Sequence, residues 1–442
     1  MPPADSVLGR GPSGWQHGPV QKQAIDLLIH GASELATPLG TGSRAGSAMD
    51  EIHVLEKGAV ALDQGRILAC GLESELRELY APTECLDAEG GTLLPGFVDA
   101  HTHPVFAGTR EGEFEQRLAG ARYAEIAAAG GGILSTVKGV RNASREELLA
   151  LLLDRLDRFL MLGTTTVEAK SGYGLTTADE IKSLEVLRDA AASHPIDIVP
   201  TFLGAHAIPP EHAGEKERYV QIVLQEMLPL VAEAKLAEYC DVFAEAHTFD
   251  LEDTRRISRR AQELGLGVRL HVDQLTPLGG AQLAAELGAV SADHLEWVDG
   301  QGMEAMAEAG VAPVLCPLVP LFLRESKEAP GRALIDAGLA PALSTDFNPG
   351  SCYMQSLPEV ASWGALRYGF KAAEGLTAIT LNAAASLGRG ARLGTIEVGK
   401  QGDICVTDLP SHRHLAYELG RSPVRAVVKA GRVVFRRTDR IQ

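Results

Sequence analysis

The sequence predicts an α/β protein, a (β/α)8 barrel of the TIM type with a small β domain formed from both terminal segments. Three observations lead there. Eight short apolar runs recur through the middle of the chain, each followed by a stretch long enough for a helix. Polar residues gather at the C-terminal ends of those runs, and a β-like texture with tight turns marks both ends of the chain.

The runs cover residues 97–101, 164–170, 196–203, 241–244, 267–272, 289–293, 312–315 and 341–345. Eight strands with eight returns is the count of a barrel whose strand ends converge on one face, where active sites lie. Two intervening helices carry start signals. Ser144 and Glu147 have capping-box spacing ahead of an apolar face from Leu148 to Leu160, with Gly163 to close it; Asn142-Ala143-Ser144 is therefore read as a cap and not as a glycosylation site. Thr177 and Glu180 stand in the same relation, with Ile181, Leu184 and Leu187 on one side.

Residues 1–24 are read as a flexible extension without the apolar run of a signal peptide, and 43–47 as a surface loop. β-like runs follow at 26–29, 60–62 and 66–69, with Asp63-Gln64-Gly65 as a turn, and return at 403–407 and 424–435 around Ala430-Gly431. The expected division is 25–93 plus 392–442 for the β domain and 94–391 for the barrel.

Lys+Arg 41 against Asp+Glu 58 leaves a net charge of −17, which argues against nucleic acid or an anionic membrane as the main partner. No apolar stretch is long enough for a membrane span. The six cysteines (70, 85, 240, 316, 352 and 405) lack the spacing of a zinc knuckle or redox pair and are mostly expected to be buried; a cytoplasmic location is the simplest.

The polar strand ends carry the chemistry. His101 and His103 lie two apart, hence on one face, where both can bind one metal ion. His271 and Asp346 end later runs and complete three imidazoles and a carboxylate, a set that suits zinc or ferrous iron with room for a water. Taken singly, His271 reads as a core histidine and Asp346 as the start of a turn. Four such placements at one mouth read as a metal centre.

The stretch Leu94-Pro95-Gly96-Phe97-Val98-Asp99-Ala100-His101-Thr102-His103 resembles the amidohydrolase superfamily, metal-dependent hydrolases built on this barrel with a β domain from both termini. Strings at 103–110, 168–175, 202–206 and 344–351 are similar to the branch that opens an imidazolone ring in histidine breakdown, and the likeness runs from about Leu93 to Leu387. It implies hydrolysis of the cyclic amide of 4-imidazolone-5-propanoate to N-formimidoyl-L-glutamate by a homodimer with one divalent metal per chain, Zn2+ or Fe2+. Position by position, it implies His101, His103, His271 and Asp346 as metal ligands and Arg110, Tyr173, His206 and Gln274 as substrate contacts. Asn348, Gly350 and Ser351 would line the product end, and His294 would be a second catalytic histidine. The residue types suit that reaction. On that resemblance, hydroxide made at the metal would attack the ring carbonyl, Asp346 would shuttle the proton, His294 would stabilise the oxyanion, and Arg110 would offer a fork for the propanoate. One departure from the family's pattern is Val272-Asp273, between His271 and Gln274.

Two rival readings fit less well. A deaminase of the same superfamily needs a titratable group near the metal where this chain has Gln274, which cannot titrate; a scaffold barrel is disfavoured by the complete ligand set. Other signals read plainly. The string 394–400 lacks the Ser or Thr of a phosphate loop, since Gln401 follows its lysine. Glu168 and Lys170 are open to a structural or a catalytic reading, Gly130-Gly131-Gly132 is a candidate lid, and His17, His30, His194, His412 and His414 have no motif around them.

Overall fold

The computed structural model describes residues 22–121 and 131–437. The N-terminal arm supplies β1 (Gln23–His30), β2 (Glu34–Thr37), β3 (His53–Glu56), β4 (Gly58–Asp63), β5 (Arg66–Leu72), β6 (Tyr80–Asp87) and β7 (Thr92–Pro95). The barrel strands follow as β8 (Phe97–Asp99), β9 (Thr164–Lys170), β10 (Asp197–Ala205), β11 (Tyr239–Ala244), β12 (Gly267–Val272), β13 (Ser291–His294), β14 (Ala312–Leu315) and β15 (Ala342–Leu343). The C-terminal arm adds β16 (Ile404–Thr407), β17 (Val424–Lys429) and β18 (Arg432–Arg436).

The two arms build two sheets, β5-β4-β1-β6 and β18-β17-β16-β7-β2-β3. The second joins the ends of the chain, because β16 runs antiparallel to β7 with Cys405 opposite Leu94. Both expected hairpin turns are present: Gln64 and Gly65, like Ala430 and Gly431, have positive φ, which matches a two-residue turn to the strand twist. The extension expected over 1–24 lies outside the described residues up to 21, and its last two residues already pair in β1, Gln23 with Tyr80 and Ala24 with Ala81.

Strands β8 to β15 neighbour one another in chain order, every pair parallel. Three match the predicted runs to the residue; the shortest, β8 and β15, are truncated because side chains take over the stitching that closes the barrel. Asp99 accepts from Thr345 N at 3.1 Å and Thr345 Oγ1 at 2.6 Å, and from Ser344 Oγ. Burial pushes its carboxyl up to about 6 in spite of those bonds. Beyond it, Asp346 N donates to His101 O at 3.1 Å and His103 N to Phe347 O at 2.9 Å.

The helix Arg145–Met161 has both bonds of its capping box, Glu147 N to Ser144 Oγ at 3.1 Å and Ser144 N to Glu147 Oε2 at 2.8 Å. The next helix, Thr177–Ser193, is capped one residue earlier than expected, by Thr176 accepting from Asp179 N. Glu180 is drawn inward instead, where it satisfies the N–H groups of Gly172, Gly174 and Leu175 at 3.0, 2.8 and 2.8 Å. Leu148, Leu152, Leu156, Leu184 and Leu187 pack with Phe97 and Val167 in one apolar layer. Lys400, in the string like a phosphate loop, gives its ammonium to the carbonyls of Gly40, Gly390 and Leu393. Four of the six cysteines are buried, Cys70 and Cys85 are exposed, and all six are free thiols. No helix among the described residues is long and apolar enough to cross a membrane.

Candidate functional site

Inward positions of the barrel carry charge where bulky apolar residues are usual. Glu168 and Lys170 on β9, Asp241 on β11, Arg269 on β12 and Asp293 on β13 are all fully buried. Lys170 Nζ lies 2.8 Å from Glu168 Oε1 and 2.9 Å from Asp241 Oδ2; Arg269 donates to Ala100 O and Ser386 O and stands 3.5 Å from Asp293 Oδ2. Pairing prevails over desolvation at Lys170, Asp241 and Arg269, which it holds charged, whereas burial raises the carboxyl of Glu168 in spite of Lys170. Glu168 Oε2 also accepts from Thr102 N at 3.2 Å, between the two histidines of the first strand end.

The histidines stand on this network. His101 Nδ1 is 2.6 Å from Asp293 Oδ2, and His271 Nδ1 is 2.9 Å from Asp241 Oδ2. The hydrogen bond to Asp293 keeps the His101 ring proton at Nδ1 and leaves its Nε2 lone pair facing the mouth, and Asp241 stands close enough to His271 Nδ1 to favour the same tautomer there. Asp346 Oδ1 lies 3.3 Å from His103 Nε2 and 3.6 Å from His101 Nε2, while His271 Nε2 lies 3.3 Å from His103 Nε2. The four side chains singled out in the sequence therefore converge. His101 and His103 reach them from past the end of β8, in an extended stretch where Thr102 bridges to Phe347, and not from the strand itself.

A cation fits this arrangement. His101 Nε2 and Asp346 Oδ1 are buried acceptors with no hydrogen-bond partner among the described residues. Burial and then Lys170 hold His101 and His103 well below the usual imidazole range, and burial brings His271 down to about 3, so all three rings are neutral donors of a lone pair. Among the described residues two triads share His101: one with His103 and Asp346, the other with His271 and His294, the donor atoms of each within 4.8 Å.

His294 ends β13, its ring 5.1 Å from that of His101 and 5.2 Å from that of His271. Burial opposes charge on it, yet Glu296, Asp346 and Asp293 push it up to about 9, so it holds a donatable proton at neutral pH. His294, Leu295 and Asp346 have φ of 80°, 68° and 47°, a left-handed backbone that is costly without glycine and that clusters at functional sites.

Around this centre Tyr173 is buried 5.3 Å from His206, which stacks on His103 at 5.2 Å. His206 Nδ1 donates to Gly172 O at 2.9 Å; Gly172 has φ of 107°, and a Cβ there would fall 3.0 Å from that nitrogen. Gln274 follows β12 with its N–H held by Glu245 Oε1 at 3.0 Å. Asp273, part of the departure noted in the sequence, leaves the strand at φ of 52° and accepts four backbone N–H groups at the start of the helix Gly280–Leu287. Arg110 lies against Gly350, where a Cβ would fall 2.1 Å from Arg110 Nη1, so the close approach requires glycine. Asn348 Oδ1 accepts from Gly350 N and Ser351 N, and Nδ2 donates to Asp346 O and Ser351 Oγ. Its amide is fully engaged in shaping the loop, and Ser351 Oγ reaches 3.4 Å from Asp346 Oδ2.

Sequence reasoning missed Asp241, Asp293, Glu296 and Glu113 as parts of the site. The available signal was charge inside apolar runs at inward parity, as with Asp241 and Arg269. Gly130 lies outside the described residues; Gly132 precedes the helix Ile133–Asn142 and donates to Glu113 Oε1.

The Amidohydrolase family model matches residues 115–435. Over 414 residues the chain is 47% identical to an imidazolonepropionase of Symbiobacterium thermophilum, covering 93% of this chain and 97% of that one. Over 415 residues it is 49% identical to an imidazolonepropionase of Solibacter usitatus, covering 93% and 99%. The chain belongs to the imidazolonepropionase family of amidohydrolases. Among solved structures, E. coli guanine deaminase superposes with a TM-score of 0.72 at 17% identity, over 93% of this chain and 100% of that one. An adenosine deaminase of Xanthomonas campestris with bound zinc gives 0.68 at 23%, over 93% of each chain. Those likenesses establish the fold, while the imidazolonepropionase relatives carry the family.

Proposed function

We propose that the chain hydrolyses the ring amide of 4-imidazolone-5-propanoate to N-formimidoyl-L-glutamate, and that His101, His103, His271 and Asp346 hold one zinc or ferrous ion per chain. The observation that carries the reading is the convergence of these four donors, two of them backed by buried carboxylates, in a chain of this family. An ion held there would supply Lewis acidity and would bring the pKa of water at the site towards about 7.

The chain's own groups do the rest. Arg110 takes the propanoate, and Tyr173, His206 and Gln274 flank the ring. Asp346 accepts the proton of the attacking water and passes it to the ring nitrogen as the amide C–N bond breaks. His294 offers its proton to the oxygen that becomes negative at the carbonyl. Gly350 and Ser351, shaped by Asn348, line the product end. Proton traffic falls on Asp346 because Gln274 cannot titrate and Glu245, beside it, accepts the N–H groups of Gln274 and Leu275.

Metal analysis together with the loss of imidazolone absorbance on fresh substrate tests this. About one zinc or iron per chain with chelator-sensitive turnover is expected, and metal-loaded protein without turnover would overturn the substrate assignment. We place the enzyme in the cytoplasm as a homodimer. Free thiols suit a reducing compartment, and sedimentation of the purified protein tests the dimer.

A further inference from the structure

Arg110 is gripped from behind. It precedes the helix Glu111–Leu118, and within the first turn Glu113 Oε2 accepts from its Nε at 2.8 Å and lies 2.8 Å from its Nη2. The other oxygen, Oε1, accepts from Gly132 N at 3.0 Å. Both side chains are almost buried, at 7% and 11% exposure, so water does not loosen the pair. On its far flank the guanidinium rests on Gly350, with no room for a Cβ between them. Held at the Nε edge and wedged on a glycine, it has one end without a hydrogen-bond partner among the described residues, where an incoming anion can pair.

We propose that Glu113 is a positioning residue for the acid arm of the substrate: it fixes Arg110 and so sets how far from the donor cluster a carboxylate can sit. The inference rests on Arg110 as the propanoate-binding residue. Two effects of opposite sign meet here. A negative neighbour weakens the pull of Arg110 on a second anion, whereas pre-orientation removes rotamer freedom that a free arginine loses on binding. The second prevails, because paired N–H···O contacts depend on direction and Glu113 uses the edge that the substrate does not need.

Steady-state kinetics of Glu113→Ala, Arg110→Ala and the double variant, on 4-imidazolone-5-propanoate and on its homologue with an acetate arm, decide the matter. Each single substitution is expected to raise KM about tenfold with kcat within about threefold. Glu113→Ala is expected to add nothing to Arg110→Ala and to erase the preference for the longer arm. Additive effects, or an unchanged arm-length preference, would overturn the proposal and assign Glu113 a structural role through Gly132. A fall in KM for Glu113→Ala would also overturn it, marking a competitor for the arginine. Arg110→Ala without a rise in KM would remove the arginine's role and the inference with it, whereas a rise there with none for Glu113→Ala removes the inference alone. Glu113→Asp keeps the charge and draws it back by one carbon, so it supplies the same KM-against-kcat comparison if the alanine variant does not fold.

Discussion

At the donor end of the site, His101, His103, His271, His294 and Asp346 stand at or just past the ends of barrel strands, and charges buried beneath them brace two of the rings. At the other end, to which the propanoate is proposed to bind, Arg110, Asn348, Gly350 and Ser351 stand on loops tied by backbone amides and one carboxylate. The first arrangement needs Lys170, Asp241 and Asp293 desolvated together and in return allows the donors little movement. The second holds its arginine through one carboxylate and one glycine contact, on loops and not on strands. On the proposed reading, chemistry that depends on fixed donor distances falls to the strand ends, and recognition of the arm to loops.

The largest expected effect separates the two ends. Asp346→Asn should fold yet lose roughly three orders of magnitude or more in kcat, since it removes a ligand charge and the proton shuttle together; near-normal turnover would break the donor-end assignment. Next comes the bracing. Asp293→Asn deprives His101 Nδ1 of its carboxylate, and metal affinity measured against a competing chelator should fall about 10–100-fold, with Asp241→Asn doing the same through His271. Unchanged affinity would mean that the strands alone fix the rings.

On the loop side, Gly350→Ala forces Arg110 away from its seat and should raise KM about tenfold while kcat is nearly kept. A loss confined to kcat would place Gly350 with the donors instead. The smallest effect is one of stability. Burial, with His103 adding to it, lowers His206 from 6.5 to about 3. The unfolded chain therefore takes up that proton as pH falls through about 6.5, while the folded chain resists until about 3. Its contribution is neutral above that window and destabilising within it. Metal-free His206→Asn should accordingly lose less stability than the unaltered protein between those values in denaturant titrations. The difference between the two is the readout, because Asp99, raised to about 6, titrates with the opposite sign in the same region. Parallel curves would show that His206 meets more water than its packing implies.

The barrel strands, the turns and the His101–His103 pair were legible in the sequence because their signals are local, whereas His271 and Asp346 joined the set only through the strand count and the family resemblance. The capping box joins Ser144 to Glu147 across a single turn, Gln64-Gly65 and Ala430-Gly431 are turns by their own φ preferences, and His101-Thr102-His103 announces itself by spacing. Local rules gave out where they were degenerate. Thr176 and Thr177 each have an acidic residue three positions on, and the choice of Thr176 was made by Glu180 turning inward to the loop amides of Gly172, Gly174 and Leu175. Only the tertiary structure decided which carboxylate backs which imidazole. Asp293 lies 192 residues from His101, Asp241 lies 30 from His271, and Glu113 lies 19 from Gly132. The two carboxylate–imidazole partnerships follow from strand register and barrel closure, and the third from the packing of a helix on a loop, all of which bring these groups within reach only after the chain has folded around them.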